Sequence, residues 1–403
     1  MIDYVSLLQS IDGEERRMID LLTRWADVNS GTRNLPGLQE MLIVLENEFS
    51  ALGGRSERVE LDPQQLEYSP DSAVQAPLGM ALLIRKRPTA NLRLFLCCHM
   101  DTVYPEDHPF QKSARIADNI LRGPGVTDAK GGLVVMFTAL EAFERCPWAE
   151  KVGWEILINP DEEIGSPGSA PLLIQAARRN HLGLVFEPSF PDGDLVGARK
   201  GSGNFTASVR GKAAHAGREP QLGRNAIDAL AKFILGLQSL ADSGGAITTN
   251  VGYVQGGGPL NVVPDLATCR FNVRVNTRDD QGLFEEGLNG LKEEINRING
   301  ISMDVRGGFG RPPKPLDAST IRLLQHVAEC GRDLGLSLNW RPTGGACDGN
   351  NLSSAGLTTI DSLGVTGGDI HSPTEYVFID SLTERAKLTA LLLMKLAAGE
   401  IKI

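Results

Sequence analysis

The chain has 403 residues, a formal net charge of −10, 41% hydrophobic residues and 22% charged residues. This composition is typical of a soluble globular protein, and the length predicts two domains because single cores rarely grow beyond about 250–300 residues. The acidic balance has no basic block to offset it, which argues against a nucleic-acid partner, and no segment reaches the roughly 20 apolar residues of a membrane span.

The N-terminal segment "MIDYVSLLQSIDGEERR" places acidic residues early and lacks the basic start and long apolar core of a signal peptide. The six cysteines show no CxxC spacing, which favours reduced, buried thiols in a cytoplasmic protein over a disulfide framework. Cys347 lies among glycines near a motif described below, and its role stays open.

The first fifty residues are predicted to be helical, because Leu21, Leu22 and Trp25 repeat at helical spacing. Strands and helices then alternate up to about residue 198. The predicted strands are "GMALLIRKR", "LRLFLCC", "GWEILINP" and "LGLVFEP", and the predicted helices are "GGLVVMFTALEAFER" and "APLLIQAARRN". This alternation predicts an α/β fold with a mostly parallel central sheet that helices flank on both faces.

After about residue 198 the predicted elements follow the order β-α-β-β-α-β, which indicates a ferredoxin-like α+β domain. The segment "GRPPKPLD" is predicted to be a linker, and helices with a strand resume from about residue 318. The sequence therefore predicts one domain formed by residues 1–198 and 314–403, with residues 199–313 inserted into it as a second domain.

Histidines and acids occur at turns that follow the predicted strands. The apolar run 94–98 ends in His99-Met100-Asp101, whose two polar residues share a face of an extended chain. Further members of this set are Asp128, Glu162, Glu163, Glu187 and His371. Each alone fits a helix cap, a solvated acidic turn, a surface acid or a core histidine. Because the carboxyl ends of parallel strands meet at one sheet edge, we expect the set to converge there.

Two imidazoles and three carboxylates suit borderline divalent metals, zinc first. Five ligands exceed what one catalytic zinc normally takes, but they suit two ions about 3.5–4 Å apart that share a bridging carboxylate. A further carboxylate beside such a site is a natural general base. The set therefore predicts metal-assisted hydrolysis.

Seven motifs now occur in order: "HMDTV", "TDAKGG", "PDEEIGS", "FEPS", "GKAAHAG", "LNVVPD" and "HSPTEYV". Together they resemble the dinuclear zinc aminoacylase and carboxypeptidase family, which includes glutamate carboxypeptidase and acetylornithine deacetylase. The resemblance runs from about residue 90 to the C-terminus. It implies a zinc peptidase-like fold, two Zn²⁺ per chain with Co²⁺ or Mn²⁺ as substitutes, and a homodimer formed through the inserted domain.

The resemblance also implies a role for each residue of the set. His99 and Glu187 would bind one zinc, Glu163 and His371 the other, and Asp128 would bridge them. Asp101 would orient the His99 ring, and Glu162 would be the general base that takes a proton from water and returns it to the leaving amine.

Four more residues gain candidate roles from the resemblance. His215 in "AAHAG" would stabilise the oxyanion, in its own chain or in the partner subunit. Asn261 and Arg274 would hold the substrate, although Arg274 also fits an ordinary strand charge. Arg311 in "GRPPKP" would grip a substrate carboxylate with its planar fork, or would be a linker arginine.

The sequence thus predicts a cytoplasmic, homodimeric, two-zinc amidohydrolase. Its substrate would be a small molecule or short peptide with a free carboxylate. The enzyme would cleave the amide bond of an N-acyl amino acid, or the amide bond that joins a C-terminal residue, as glutamate carboxypeptidase does. An N-acetyl amino-acid deacetylase, such as acetylornithine deacetylase, is the alternative. A non-catalytic metal-binding homologue and a nucleotide-binding protein are the rivals, but no predicted ligand is lost and no GxGxxG or GxxxxGK[ST] motif follows the first strands.

Overall fold

The computed structural model describes residues 4–69, 72–241 and 244–402. Up to Arg199 it contains five α-helices and ten strands. In chain order these are α1 (Tyr4–Asp12), α2 (Glu15–Ala26), α3 (Leu35–Phe49), β1 (Arg55–Val59), β2 (Gln64–Ser69), β3 (Ser72–Ala76), β4 (Ala81–Lys86), β5 (Leu92–His99), β6 (Ala114–Ala117), β7 (Ile120–Arg122), α4 (Lys130–Glu144), β8 (Val152–Asn159), α5 (Ala170–Arg179), β9 (Leu182–Val185) and β10 (Leu195–Arg199).

The next six elements are β11 (Gly201–Arg210), α6 (Ala226–Ser239), β12 (Ile247–Gly256), β13 (Leu266–Val275), α7 (Arg278–Asn296) and β14 (Ser302–Arg311). Seven more complete the described chain: α8 (Ala318–Asp333), β15 (Trp340–Thr343), α9 (Asp348–Ser354), β16 (Thr359–Ile360), β17 (Gly367–Gly368), β18 (Tyr376–Phe378) and α10 (Asp380–Ala398). Among the described helices, none has the length and apolarity needed to cross a membrane.

A six-stranded sheet with the order β1-β4-β8-β5-β9-β16 forms the centre of the larger part of the molecule. The four strands β8, β5, β9 and β16 run parallel, whereas β4 pairs antiparallel with both β8 and β1. The predicted mostly parallel α/β sheet is confirmed. The sequence did not predict that the "GMALLIRKR" strand runs antiparallel, because the direction of a strand depends on its pairing with neighbouring strands.

Helices cover both faces of this sheet. Along β5, Leu94 and Leu96 point into the core that contains residues of α1 to α4, α8 and α10. Phe95 and Cys97 point into the opposite core, with residues of α5 and α9. Because successive side chains of a strand alternate in direction, a strand buried on both faces is a continuous apolar run, as this one is. All six cysteines are free and buried.

The inserted elements form a separate four-stranded antiparallel sheet with the order β12-β13-β11-β14. Helices α6 and α7 pack against it around a core of its own, which includes Phe205, Phe233, Phe271 and Phe284. The β-α-β-β-α-β order agrees with the sequence pattern. The predicted linker "GRPPKPLD" is partly wrong, because β14 continues through Arg311 and pairs with β11 up to that residue.

The chain enters and leaves the small sheet at two adjacent points. Arg199 and Lys314 exchange backbone hydrogen bonds, with N–O distances of 2.9 and 3.0 Å. The buried carboxylate of Asp361 contacts both side chains, at 3.1 Å from Arg199 Nε and 3.3 Å from Lys314 Nζ. This buried ion cluster fixes both crossings to the larger part of the molecule. The domain boundaries at 198 and 314 stay a prediction.

Candidate active site

The carboxyl ends of three parallel strands bring the predicted strand-end residues to one edge of the central sheet. His99 is the last residue of β5. Glu162 and Glu163 open a short 3₁₀ helix that follows β8, and Glu187 lies two residues beyond β9. These residues therefore lie at the same edge of the central sheet, because parallel strands have their carboxyl ends on one side.

Asp128 lies between the two predicted histidine ligands. Its Oδ1 atom is 3.0 Å from His99 Nε2, and its Oδ2 atom is 3.2 Å from His371 Nε2. Asp128 comes from the loop before α4, and the peptide bond that follows it is cis. His371 lies between β17 and β18 in the left-handed backbone region, with φ of +61°. Such a backbone is unfavourable for a non-glycine residue and is often found at functional sites.

Each histidine has a second carboxylate beside it. His371 Nε2 lies 3.2 Å from Glu163 Oε2, and His99 Nε2 lies 3.8 Å from Glu187 Oε1. Two groups of three residues each place their ligand atoms within 4.8 Å of one another. One group is His99, Asp128 and Glu163, and the other is His99, Glu162 and Glu187. Since Glu162 belongs to the second triplet, proximity alone does not separate a base from a ligand, and the assignment of roles stays a prediction.

Three buried acids of this site have raised pKa values. Burial, reinforced by the charge of Asp128, raises the pKa of Glu163 to about 8. Burial also raises the pKa of Glu162 to about 7, against the opposing charge of Arg311, and raises that of Glu187 well above its usual range. The Oε1 atom of Glu163 is buried without a hydrogen-bond partner among the described residues. An orphaned carboxylate oxygen among acids fits a bound cation.

The neighbouring carboxylates raise the pKa of both histidines. Hydrogen bonds to Asp128 and Glu163 raise the pKa of His371 to about 10. For His99, burial would lower the pKa, but hydrogen bonds with Asp101 and Asp128 outweigh it and raise the pKa. Positive charge is therefore favoured at both imidazoles. Divalent metals occupy such positions by displacing protons, and carboxylate and imidazole are the ligands that zinc accepts.

Asp101 holds the turn that carries both glutamates. Its carboxylate accepts hydrogen bonds from the backbone N–H groups of Glu162 (3.1 Å) and Glu163 (3.2 Å) and from Thr32 Oγ1 (2.7 Å). His99 Nδ1 lies 3.0 Å from the Asp101 carbonyl oxygen and 3.4 Å from its carboxylate. Asp101 thus contacts the His99 ring and also positions the neighbouring turn, which the sequence did not indicate; its role as the orienter of a metal-binding His99 stays a prediction.

Arg311 has partners other than the substrate carboxylate expected from the sequence. Its Nη1 donates to Asp348 and Asn351, at 2.8 Å each. Its Nη2 donates to the carboxylate and carbonyl oxygens of Glu162, at 2.7 and 3.1 Å, and to Ser166 Oγ at 2.9 Å. The side chain is buried. All four terminal N–H groups are therefore used within the protein, so Arg311 holds Glu162 in this structure and has no terminal donor left for a substrate.

A cavity of about 770 Å³ opens over Asp128 and the glutamates, and its wall includes Arg199 and Arg274. Arg274 donates from Nε to Asn272 Oδ1 (2.9 Å), and no described carboxylate lies within ion-pair distance of it. Arg199 shares the single carboxylate of Asp361 with Lys314. Arg199 and Arg274 therefore place positive charge on the wall opposite the acids of the site, although the sequence had not singled out Arg199.

His215 and Asn261 do not line this cavity. They lie together on a loop region of the small sheet, where His215 bridges to Val262 and Asn261 O accepts from Ala216 N at 2.9 Å. His215 Nδ1 accepts from two backbone N–H groups at 3.1 Å each, which leaves Nε2 as the ring's N–H donor. Beside them Leu260 is fully exposed.

Cys347 has a local structural role. It is buried at the start of α9, and its Sγ accepts a hydrogen bond from Gly349 N at 3.3 Å. A side chain in this position satisfies an N–H group that the first turn of a helix leaves free.

A parallel sheet with histidines and acids at its carboxyl edge, an adjoining cavity and an inserted antiparallel sheet define a metal-dependent hydrolase. Residues 95–395 match Peptidase family M20/M25/M40, and the chain belongs to this family. It is therefore a hydrolytic metalloenzyme, a metallo-amidohydrolase or carboxypeptidase.

Two curated relatives differ in their activity. Carboxypeptidase G2 from Pseudomonas sp. (strain RS-16) is 27% identical over 402 residues, covering 98% of this chain and 92% of that protein. Succinyl-diaminopimelate desuccinylase from Pseudoalteromonas translucida is 29% identical over 284 residues, covering 67% of this chain and 73% of that protein.

Solved structures share the whole fold. The aminopeptidase PepT from Bacillus cereus has a TM-score of 0.71 at 23% identity, covering 95% of this chain and 99% of that one. A dinuclear metal-binding peptidase of family M20 from Bacillus subtilis has a TM-score of 0.67 at 15% identity, covering 96% and 99%.

Proposed function

We propose that this protein is a two-zinc amidohydrolase that removes a C-terminal residue from a small peptide or conjugate, as a glutamate carboxypeptidase does. The observation that carries the proposal is the position of Asp128. Its two oxygens lie against different histidines, and each histidine has a different second carboxylate beside it. This is the donor arrangement that two ions sharing one bridging carboxylate require.

Five residues would hold the metals. His99 and Glu187 would bind one ion, Glu163 and His371 the other, and Asp128 would bridge them. When bound, such ions lower the pKa of a coordinated water and polarise a carbonyl group. Zinc is the proposed resident, with Co²⁺ or Mn²⁺ as functional substitutes, since each accepts imidazole and carboxylate ligands.

Glu162 would act as the general base. Its carboxylate lines the cavity, where Arg311 holds Oε1 at 2.7 Å and Asp101 holds its backbone N–H at 3.1 Å. A carboxylate fixed from two sides can accept a proton from water and return it to a leaving amine with little reorganisation. Glu163 would be unable to do so while it binds metal.

The cavity favours a substrate with a free carboxylate. Arg274 has no described carboxylate partner, and Arg199 shares its only one, so both can attract an anion. Carboxypeptidase G2 matches nearly the full length of this chain, which supports the carboxypeptidase reaction. The match to a desuccinylase supports the alternative, an N-acyl amino-acid deacylase of the acetylornithine deacetylase type.

Residues 199–313 would be a separate domain, and its small sheet would form the interface of a cytoplasmic homodimer. His215 would donate its Nε2–H to the oxyanion of the partner subunit's site, with Asn261 beside it as a substrate contact. This proposal is supported by the absence of both residues from the cavity wall and by the apolar exposure of Leu260 next to them.

One set of measurements tests the function. Elemental analysis of the zinc-loaded protein should give two ions per chain. A screen of N-benzoyl glutamate-type conjugates, dipeptides and N-acetyl amino acids should then show preferred release of the C-terminal residue from conjugates. One ion per chain would contradict the two-metal site, whereas preferred cleavage of N-acetyl amino acids would favour the deacylase.

A further inference from the structure

A buried glutamate with no assigned role lies behind the predicted bridging ligand. Glu375 follows His371 by four residues, immediately before β18, and its side chain is buried. Oε1 accepts hydrogen bonds from the backbone N–H groups of Thr127 (2.9 Å) and Asp128 (3.0 Å). Oε2 accepts from Gly125 N at 3.0 Å and from Tyr104 OH at 2.8 Å.

This arrangement requires a carboxylate. Four donors converge on two oxygens, three of them backbone N–H groups of the loop that ends in Asp128. An amide side chain has one oxygen and one NH₂ group, so it would direct N–H against one pair of these donors. Burial makes an unmet donor costly, because water cannot replace the missing acceptor. Glutamine at position 375 would therefore release at least one side of the loop.

The same carboxylate joins the segments that carry the predicted ligands. Tyr104, which follows the β5 segment of His99 and Asp101, shares its single O–H between Glu375 Oε2 and the Ser372 carbonyl oxygen, each 2.8 Å away. Thr127 donates from Oγ1 to the Tyr376 carbonyl oxygen at 2.6 Å. The loops of Asp128 and His371 are thus fastened to each other behind the site.

We propose that Glu375 is the positioning residue of the metal centre: it sets the loop of Asp128 relative to that of His371 and so supports both ions together. The inference rests on the proposed function, in which Asp128 bridges two ions. It differs from the role of a ligand, since every described acceptor position of Glu375 faces an N–H or O–H donor of the protein.

Two measurements on Glu375→Gln test this role. Hydrogen exchange of the metal-free protein should show the N–H groups of Gly125, Thr127 and Asp128 exchanging at least 10-fold faster. Calorimetric zinc titration should show weaker binding at both sites, by the 10–100-fold that loss of a supporting partner typically causes. His371→Ala should instead weaken mainly one site.

A matched control separates positioning from general loss of a buried acid. Glu155 lies buried in β8 and accepts from Arg179 and Asn180, away from the metal-site residues. Glu155→Gln should lower thermal stability while leaving zinc binding and the exchange of the 125–128 amides unchanged. If Glu375→Gln behaves like Glu155→Gln, the proposal is wrong.

Should Glu375→Gln fail to fold, Tyr104→Phe keeps the proposal testable. It removes one of the four donors and leaves the three backbone bonds, so zinc affinity should fall several-fold at both sites. Unchanged affinity would contradict the proposal. Wild-type protein that binds one ion would refute the two-metal function, while the exchange data on metal-free protein would still report whether Glu375 holds the loop.

Discussion

The two regions that supply the proposed site are built in opposite ways. Around the edge of the central sheet, Asp101, Glu375 and the last residue of β14, Arg311, are buried, and each holds its neighbours through several hydrogen bonds. On the small sheet, His215 and Asn261 lie on exposed loops next to the fully exposed Leu260. The first region is organised within one chain. In the proposed homodimer, the partner subunit would complete the second.

The difference separates two kinds of expected effect. Substitutions at the sheet edge should act within the chain that carries them, through charge, metal binding or proton transfer. Substitution of His215 or Asn261, on the exposed loops of the small sheet, should act on a neighbouring chain. Three predictions test this contrast.

The largest effect is expected within the sheet edge itself, where neighbouring glutamates should differ in kind. Glu162→Gln should retain both ions and lose at least the ~10²–10⁴-fold in kcat that general acid–base catalysis supplies. Glu163→Gln should lose metal, because the Glu163 carboxylate contacts His371 at 3.2 Å and has one oxygen without a partner in the described part of the chain. Metal content and kcat, measured together on both variants, check this. If Glu162→Gln is the variant that loses zinc, the two roles must be exchanged.

The second effect crosses between chains. His215→Ala should bind both ions but lose about 10²–10³-fold in kcat, the cost of removing one oxyanion donor. Mixed dimers of His215→Ala with Glu162→Gln should regain up to half of the wild-type activity per dimer, because one composite site is then intact. The measurement is the activity of mixed dimers whose composition is confirmed by isotope labelling of one of the two variants. Absence of recovery would mean that His215 serves its own chain or has no catalytic role.

The smallest effect on turnover is expected at two arginines of the cavity wall, whose substitution should change different quantities. Arg274→Gln should raise KM about 10–100-fold with little change in stability, since charge-assisted hydrogen bonds contribute about 1.5–3 kcal/mol. Arg311→Gln should remove the cation that pairs with Glu162 and Asp348 and lower the free energy of unfolding by about 3–5 kcal/mol, the typical cost of breaking a buried ion pair. Kinetics and urea unfolding check both. An Arg311 variant that changes only KM would restore its role as the substrate's anchor.

Much of the fold was predictable because it depends on local pattern. The apolar run of β5, the helical repeat of α2 and the alternation of β11 each indicate their structure within a few residues. Polar residues at strand ends indicated the site for the same reason, since the carboxyl ends of parallel strands meet. The family resemblance then supplied the roles, which spacing alone had left open.

The remaining features depend on contacts between distant segments. Arg311 meets Glu162 across 149 positions of sequence, and Glu375 meets Asp128 across 247. No local pattern distinguishes an arginine that holds a protein carboxylate from one that holds a substrate carboxylate. Likewise, the direction of β4 follows from its pairing with β8 and β1, not from its own residues.

The paired crossings at Arg199 and Lys314 have a consequence for the history and engineering of this architecture. The reciprocal hydrogen bonds bring the two ends of the inserted segment side by side, and Asp361 anchors both from the larger part. A segment whose ends already meet can be replaced by a short turn or by another module without moving its host. Exchange of the small sheet would leave the proposed metal ligands in place, but the replacement would have to supply the contacts of Arg274 and Arg311 and the role proposed for His215.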